Sequence, residues 1–460
     1  MAKVTNRTGL TAVFLGCALS LVLGTAIAAR AQTHWVGTWA ASQQAPEPNN
    51  ALLPQDLTDC TLRQIVHLSI GGSGLRVRVS NRFGTAPLLL TAVHIAEPVS
   101  AASAKIVPGT DRALTFSGIQ NATIPAGADY VSDPIAFTAA PLSNLAISIY
   151  IEMPPATQTG HPGSRSTSYL VHGNHVSEAD LPDAKTVEHW YFVSGVDVAA
   201  PQTTAAIVAL GDSITDGHAS TTNGNDRWPD VLARRLQASR GTRELSVLNV
   251  GTGGNRLLLD GLGPNALARF DADVLAQAGV RYVILLEGVN DLGMMTREGD
   301  VSRVEHEAMV HQIEAAYEQI IGRAHDHGIE AIGATITPFV GSSFYHPGQN
   351  TEADREAINR WIRVSEHFDA VIDFDQVMRD PAHPDRLNPK LDCGDHLHPS
   401  PAGYAAMADA IPLSLFTEHR ETSFDPTGPL NGIVFSTMPL WWHVASHTLA
   451  RSTIPLRVHS

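Results

Sequence analysis

Five short apolar runs, separated by segments of helical periodicity, dominate the second half of this 460-residue chain. Runs without polar alternation are typical of strands that are covered on both faces. Strands that alternate with helices predict an α/β fold, in which right-handed crossovers build a parallel sheet. The apolar runs lie at residues 206–210, 247–250, 282–286, 331–335 and 370–374, and the helical segments at 228–238, 267–278, 303–327 and 352–366.

The first half has a different pattern, which indicates β-structure. Residues 75–80 and 146–151 alternate apolar and polar side chains, as half-buried strands do. Glycine- and proline-containing clusters at 71–74 and 125–129 predict turns between such strands. Many short strands without a long amphipathic helix predict a β-sandwich or jelly roll.

The change of pattern, together with the length of the chain, predicts more than one domain. We place a β-rich domain at residues 32–201 and the α/β domain at residues 202–416. Residues 417–460 have no clear period and form a C-terminal extension, which is either packed or poorly ordered.

Residues 1–31 have the pattern of a secretory signal peptide. Lys3 and Arg7 precede an apolar run that extends to residue 28. Ala-Arg-Ala at residues 29–31 supplies a cleavage site, with Ala-Ile-Ala at residues 26–28 as an alternative site. The alternative is an uncleaved membrane anchor, because the run is near the lower length limit for spanning a bilayer. We expect a secreted or periplasmic protein without stable membrane insertion after cleavage.

Cleavage would leave two cysteines, Cys60 and Cys393. In an oxidising compartment an isolated pair either forms a disulfide or remains as two separate thiols. The sequence leaves both alternatives open, because it does not give the separation of the two Cα atoms.

The charge balance excludes one class of partner. The chain has 31 basic and 46 acidic residues, a formal net charge of −15. A nucleic-acid partner would require a clustered basic face, so we expect none. No P-loop or G-x-G-x-x-G follows a strand, and the sequence therefore predicts no nucleotide cofactor.

Four polar blocks follow the apolar runs. Because the carboxyl ends of parallel strands meet at one edge of a sheet, the blocks that end strands are expected to converge. The blocks are Gly-Asp-Ser at 211–213, Asn-Val-Gly-Thr-Gly-Gly-Asn at 249–255, Gly-Val-Asn-Asp at 288–291 and Asp-His-Leu-His at 395–398.

Each block supplies a residue type that acyl transfer requires. Ser213 is the candidate nucleophile, His398 the base that takes its proton, and Asp395 the acid that orients the imidazole. The backbone N–H groups of Ser213 and Gly254 and the side-chain amide of Asn290 are candidate donors to an oxyanion. These residue types together predict a nucleophilic catalytic site.

Other interpretations exist for the same residues. Ser213 could cap a helix, and His398 could be a surface histidine. His396 and Asp392 could join the last block in a metal site, but no further ligand cluster accompanies them, and we predict no metal.

The four blocks resemble those of the GDSL/SGNH hydrolase superfamily. Ser213, Gly254, Asn290 and His398 match its four named residues, and Asp395 matches the acid of its D-x-x-H block. The resemblance implies a flavodoxin-like three-layer α/β/α domain that hydrolyses esters or thioesters through an acyl-enzyme without metal. Residues 35–42, 75–84 and 254–258 are also similar to secreted bacterial members grouped with xylan-associated arylesterases.

We therefore expect a secreted serine esterase that acts on short-chain acyl or aryl esters, among them acetyl groups on plant polysaccharide. The expected partner is an ester substrate, either a small acyl or aryl ester or an acylated carbohydrate. The alternatives are a lipase or lysophospholipase-type acylhydrolase, a carbohydrate-binding protein on an inactive hydrolase scaffold, and a metal-dependent phosphoesterase. The absence of G-x-S-x-G argues against the nucleophile elbow of α/β-hydrolases.

Overall fold

Antiparallel strands occupy the described chain before residue 200, and a parallel sheet follows from residue 205. The structure is a computed structural model that describes residues 33–364 and 366–417. The predicted signal peptide lies outside the described residues, and so does the predicted C-terminal extension apart from Thr417.

The β-rich part, residues 33–200, has a single short helix in the described chain, α1 (Pro54–Leu57). Its strands are β1 (Trp35–Ala40), β2 (Cys60–His67), β3 (Gly72–Ser80), β4 (Leu88–Leu90), β5 (Ala92–Ala96), β6 (Arg112–Ala113), β7 (Ala122–Ile124), β8 (Asp129–Val131), β9 (Ile135–Ala139), β10 (Asn144–Ile151), β11 (Gly160–His161), β12 (Ser168–His172), β13 (Lys185–Val187), β14 (Trp190–Tyr191) and β15 (Val193–Ala199).

Two larger antiparallel sheets form most of this part, and two further sheets have two strands each, β4-β7 and β11-β14. One of the larger sheets has the strand order β1-β15-β3-β8, with β9 also paired to β3, and the other has the order β13-β12-β2-β10-β5-β6. Alternate side chains of β3 and of β10 belong to one hydrophobic core and are inaccessible to solvent. The two larger sheets therefore share an apolar core as the layers of a β-sandwich do, which confirms the predicted class of this part.

The α/β part, residues 205–417, alternates strands with helices. Its strands are β16 (Ala205–Gly211), β17 (Leu245–Gly251), β18 (Val280–Leu286), β19 (Glu330–Ala334) and β20 (Ala370–Ile372). Its helices are α2 (Ser213–Asp216), α3 (Trp228–Ala238), α4 (Ala266–Phe270), α5 (Val289–Thr296), α6 (Arg303–Asp326), α7 (Gln349–Val364), α8 (Phe374–Met378) and α9 (Pro401–Asp409), with a π-helical turn at Asp271–Leu275 and a 3-10 turn at Leu413–Phe416.

The parallel sheet has the order β17-β16-β18-β19-β20. Renumbered from its first strand, this is the order 2-1-3-4-5 of flavodoxin-like folds, and the predicted α/β class is confirmed. The order reverses between β16 and β18. Ligands of open α/β sheets bind at such a point, beyond the carboxyl ends of the strands, and Ser213 follows β16 there.

Two local predictions are wrong. The single helix predicted over residues 267–278 is a short α4 followed by the π-helical turn, which holds Asp273 where it accepts hydrogen bonds from Ser42 and Arg269. The turn predicted at residues 71–74 is absent, because β3 begins at Gly72, which pairs with Ala139 of β9.

Cys60 and Cys393 are free thiols. Burial raises the pKa of the Cys60 thiol to about 12, so this thiol is protonated at neutral pH. Of the two alternatives that the sequence left open, the structure has the separate thiols.

The β-rich part packs directly against the parallel sheet. Strand β1 lies along β17, and the N–H of Gly37 donates to the carbonyl of Ala278 over 2.9 Å. The described residues up to Thr417 belong to one compact unit, so the boundary at residue 201 stays a prediction. Within residues 33–364 and 366–417, no helix has the length and apolar character needed to cross a bilayer.

Candidate active site

Ser213 lies in a tight turn between β16 and α2. The strand ends at Gly211, and Asp212 caps the helix because its Oδ1 accepts the N–H of Ile214 over 2.8 Å. Ser213 is the first residue of α2 and is 9% exposed. Asp212 therefore orders the loop that carries Ser213.

Ser213, His398 and Asp395 form a continuous chain of hydrogen bonds. Ser213 Oγ lies 2.8 Å from His398 Nε2, and His398 Nδ1 lies 2.6 Å from Asp395 Oδ2. An ionised carboxylate only accepts hydrogen bonds, so Nδ1 carries the proton and Nε2 can accept the proton of Ser213. The geometry is that of a nucleophile, a base and an acid that orients the base.

The loop before α9 holds Asp395 and His398 in position. Asp395 Oδ1 accepts the backbone N–H groups of Leu397 and His398 over 2.9 and 2.8 Å. The N–H of Cys393 donates to the carbonyl of His398 over 3.0 Å and closes the loop. The acid and the base are therefore held by the same short segment of backbone.

The environment of Asp395 favours its charged form. Partial burial by itself would raise its pKa, but the hydrogen bonds from the ring and the N–H of His398 outweigh this effect and hold the pKa well below its usual range. Asp395 is thus ionised at neutral pH and can stabilise an imidazolium at His398.

The two other candidate residues lie beside each other at the same sheet edge. Gly254, in the loop after β17, has a left-handed φ of 67°, which favours glycine. Asn290 is buried in the first turn of α5, and its Nδ2 donates to the carbonyl of Asn255 over 2.7 Å. The amide Oδ1 of Asn290 accepts the hydroxyl of Tyr345. A primary amide has two N–H groups, so the second is the candidate donor to an oxyanion, and this role stays a prediction.

Asp291 supports the loop that carries Gly254. Its carboxylate accepts the N–H groups of Leu257 and Leu258 over 2.9 and 3.1 Å. Burial raises the pKa of Asp291 to about 6, although these backbone hydrogen bonds oppose the rise. The sequence analysis gave Asp291 no role of its own, and its place directly after Asn290 was the available signal.

Arg269 is a buried residue that binds the ends of β16 and β17, and the sequence analysis did not identify it. Its side chain is 3% exposed and donates to the carbonyls of Gly211 and Val250 over 2.9 and 2.6 Å. It also donates to Asn255 Oδ1 over 2.8 Å and forms ion pairs with two buried carboxylates, of which Glu287 is fully inaccessible. One guanidinium therefore connects the ends of β16 and β17 with the loop that holds Gly254.

The β-rich part also reaches the nucleophile turn. His161 of β11 is buried, and its Nε2 lies 2.8 Å from Oδ1 of Asp216, the last residue of α2. The Nδ1 of His161 lies 2.9 Å from the carbonyl of Ser42. Contacts between residues so far apart in sequence left no local signal.

Among the residues that the structure describes, two groups of side chains could hold a metal ion by distance alone. His218, Asp395 and His398 bring ligand atoms within 4.8 Å of one another, as do Asp392, Cys393 and Asp395. Both ring nitrogens of His398 are already in the hydrogen-bond chain, and the predicted alternative ligands His396 and Asp392 bond to each other over 2.7 Å. The side chains fit proton transfer better than metal coordination.

Residues 209–406 match the family model described as the GDSL-like Lipase/Acylhydrolase family. No curated protein matches the chain at a significant level.

Among solved structures, a lipolytic protein of the G-D-S-L family from Desulfitobacterium hafniense is 23% identical, with a TM-score of 0.34, and the match covers 45% of this chain and 97% of that one. A GDSL-like lipase from Bacteroides thetaiotaomicron is 18% identical, with a TM-score of 0.34 and coverage of 47% and 90%. An acetyl xylan esterase from Geobacillus stearothermophilus is 20% identical, with a TM-score of 0.33 and coverage of 45% and 92%.

Proposed function

We propose that this protein hydrolyses carboxylic esters with Ser213 as its nucleophile, since residues 209–406 match the family model of GDSL-like lipases and acylhydrolases. One observation carries the proposal: the hydrogen-bond chain from Ser213 Oγ through His398 to Asp395, with distances of 2.8 and 2.6 Å. Such a chain removes the proton of a serine that is otherwise a poor nucleophile.

The first half-reaction is acylation. Ser213 Oγ attacks the carbonyl carbon of the ester while His398 Nε2 takes the hydroxyl proton. The tetrahedral intermediate then expels the alcohol, which receives that proton from His398, and the acyl group remains on Oγ. Asp395 stabilises the imidazolium in between, since its carboxylate contacts Nδ1.

The second half-reaction is deacylation. Water attacks the acyl carbon while His398 Nε2 takes one of its protons, and the bond from carbon to Oγ breaks. Oγ regains the proton, and the carboxylic acid leaves. In both halves the N–H groups of Ser213 and Gly254 and the amide of Asn290 are the proposed donors to the oxyanion.

Within this class we propose short acyl or aryl esters as substrates, including acetyl groups on plant polysaccharide. The support is the sequence likeness of residues 35–42, 75–84 and 254–258 to xylan-associated arylesterases. We further propose that residues 1–31 direct export and are removed, which N-terminal sequencing of the exported protein would test.

A second candidate, a lipase or lysophospholipase-type acylhydrolase, is favoured by one observation. A cavity of about 590 Å³ adjoins the loop after Gly254, a size suited to a long acyl chain. Its apolar lining includes Leu258, Leu259, Leu267, Met294, Met295 and Met309, and its polar lining consists of Arg256, Asp291, Gln312 and Gln319.

The proposal is tested by turnover of p-nitrophenyl acetate with the full chain. We expect Ser213→Ala to lower kcat by at least about 1,000-fold. The exposed serine of Ser100→Ala is the matched control and should leave kcat within about twofold of the unsubstituted chain. Near-normal turnover by Ser213→Ala would refute the mechanism. Turnover that is indifferent to a chelator would remove the metal-dependent phosphoesterase as an alternative.

Substrate choice is decided by a parallel panel of acetylated xylan, aryl acetates and longer acyl esters. A higher kcat/KM for acetyl than for octanoyl esters supports the first candidate, and the reverse order supports the second.

A further inference from the structure

His218 covers one face of the candidate base. Its imidazole ring lies against that of His398, with ring centroids 4.0 Å apart and planes inclined by 35°. The backbone of His218 is held on two sides: its N–H donates to the carbonyl of Ser213 over 2.9 Å, and its carbonyl accepts the hydroxyl of Tyr404 over 2.7 Å. These two bonds hold the backbone of His218 next to the hydrogen-bond chain, while its side chain is 46% exposed.

Arg165, from the β-rich part, orients the His218 ring. Its guanidinium nitrogen lies 3.2 Å from His218 Nδ1. A guanidinium only donates hydrogen bonds, so Nδ1 accepts and the proton of the neutral ring lies on Nε2. That nitrogen is 4.0 Å from Asp395 Oδ2, the oxygen that also contacts His398.

The surroundings of His218 favour its neutral form. Partial burial of the ring, followed by the charges of His398 and Arg165, lowers the pKa of His218 to about 4, against the opposing carboxylates of Asp395 and Asp216. Between pH 5 and 8 the ring is uncharged and does not repel an imidazolium at His398.

We propose that His218, oriented by Arg165, is a positioning residue that holds the His398 ring in place during deacylation. This inference rests on the proposed esterase function. It assigns to the β-rich part a direct effect on the second half-reaction.

The acyl-enzyme lacks one of the two hydrogen bonds that orient His398 in the free protein. In the free protein His398 is held at both ring nitrogens, by Ser213 Oγ and by Asp395 Oδ2. Once Oγ carries the acyl group it has no proton to donate to Nε2, and the ring keeps only its bond to Asp395. A ring fixed at one nitrogen can turn about that bond, and the packed face of His218 opposes this turn. Water must still meet Nε2 in the right direction for its proton to be taken.

The test is stopped-flow hydrolysis of p-nitrophenyl acetate by the full chain, which separates acylation, seen as the burst of p-nitrophenol, from deacylation, seen as the steady rate. We expect His218→Ala to slow deacylation about tenfold and acylation less than about threefold. His218→Phe keeps a flat ring against His398 and should restore deacylation to within about threefold of the unsubstituted rate. His311→Ala, which removes a histidine side chain that is 81% exposed on α6, is the matched control and should change neither step.

The pH dependence of activity in Arg165→Met is a second measurement, which a purely structural role of His218 would leave unchanged. Without the guanidinium charge the pKa of His218 rises, so its ring gains a positive charge as the pH falls and then repels the imidazolium that forms on His398. We expect the ratio of Arg165→Met activity to unsubstituted activity to be lower at pH 5.5 than at pH 8.

Three results would overturn the inference: unchanged deacylation in His218→Ala, equal slowing of both steps, or no rescue by His218→Phe when circular dichroism shows that all variants are folded. Absence of any esterase turnover in the unsubstituted chain would overturn the proposed function and this inference together. Normal turnover with an unaltered His218→Ala would overturn this inference alone.

Discussion

Replacing Arg269 with methionine tests whether the network beneath the active site stabilises the fold. The side chain of Arg269 is 3% exposed, and it lies 2.8 Å from Asp273 and 3.3 Å from the inaccessible Glu287. Removing one partner of a buried ion pair costs about 3–5 kcal/mol, because the remaining charge is uncompensated. The carbonyls of Gly211 and Val250 would each lose a donor as well, so we expect the upper part of this range.

The cost should depend on pH in a defined direction. Burial raises the pKa of Glu287 well above its usual range, and Arg269 opposes that rise. In Arg269→Met the pKa rises further, so the folded protein binds a proton that the unfolded chain releases. Stability then falls as the pH increases through this interval. We expect the loss of unfolding free energy to be smaller at pH 5 than at pH 8.

Urea unfolding followed by circular dichroism at both pH values measures this loss. Arg303→Met is the matched control, because Arg303 is 89% exposed in its pair with Glu307 and should cost less than about 1 kcal/mol. Arg269→Met combined with Glu287→Gln should recover part of the loss, since it removes the orphaned charge. A cost of less than about 1 kcal/mol for Arg269→Met, or a cost independent of pH, would refute the reasoning.

Four further changes have defined outcomes. Asn290→Ala should lower kcat about 100- to 1,000-fold with little change in KM, because one oxyanion donor is lost; an unchanged kcat would remove Asn290 from the oxyanion site. Gly254→Ala should cost about 1–2 kcal/mol in thermal unfolding, since its φ is 67°, and a stability equal to that of the unsubstituted protein would contradict this. Asp395→Asn should lower kcat about 10,000-fold. It should also lose less stability than the unsubstituted protein on acidification from pH 5 to pH 2, because the carboxylate of Asp395, with its depressed pKa, stabilises the fold only while it is ionised. Identical acid titrations of the two proteins would contradict this. Alkylation of the unfolded, unreduced protein should modify Cys60 and Cys393, whereas protection of both would indicate a disulfide.

The parallel sheet was predictable because its strands are buried on both faces. Runs such as residues 206–210 and 282–286 contain apolar side chains without alternation, and the structure has β16 and β18 there. The helix α3 was predicted with its observed bounds, since Pro229 fits the first turn of a helix and Trp228 is buried. Local pattern is sufficient where burial and periodicity agree.

The candidate site was partly predictable because strand ends of a parallel sheet converge. Ser213 and Asn290 follow β16 and β18 closely, so sheet topology alone brings them to one edge. Asp395 and His398 follow β20 only after α8, and the signal for them was their spacing in the D-x-x-H block. The bonds of 2.8 and 2.6 Å among Ser213, His398 and Asp395 agree with the expected proximity.

The supporting residues were not predictable from local pattern. Arg269 contacts the carbonyl of Gly211, 58 residues earlier, and His161 contacts Asp216, 55 residues later. Such contacts depend on the final packing of the β-rich part against the sheet. The same packing explains the wrong prediction at residues 267–278, where the bonds to Asp273 accompany a π-helical turn in place of a regular helix.

The most direct measurement of the central claim is intact-mass spectrometry after incubation with a fluorophosphonate, followed by peptide mapping. The reagent phosphonylates a serine that is activated by a base: Oγ bonds to phosphorus, and fluoride leaves. We expect one adduct, located on Ser213, in the unsubstituted chain. We expect no adduct in Ser213→Ala and slower formation of the adduct in His398→Ala. An unlabelled chain, or an adduct that persists in Ser213→Ala, would contradict the assignment of Ser213 as the nucleophile.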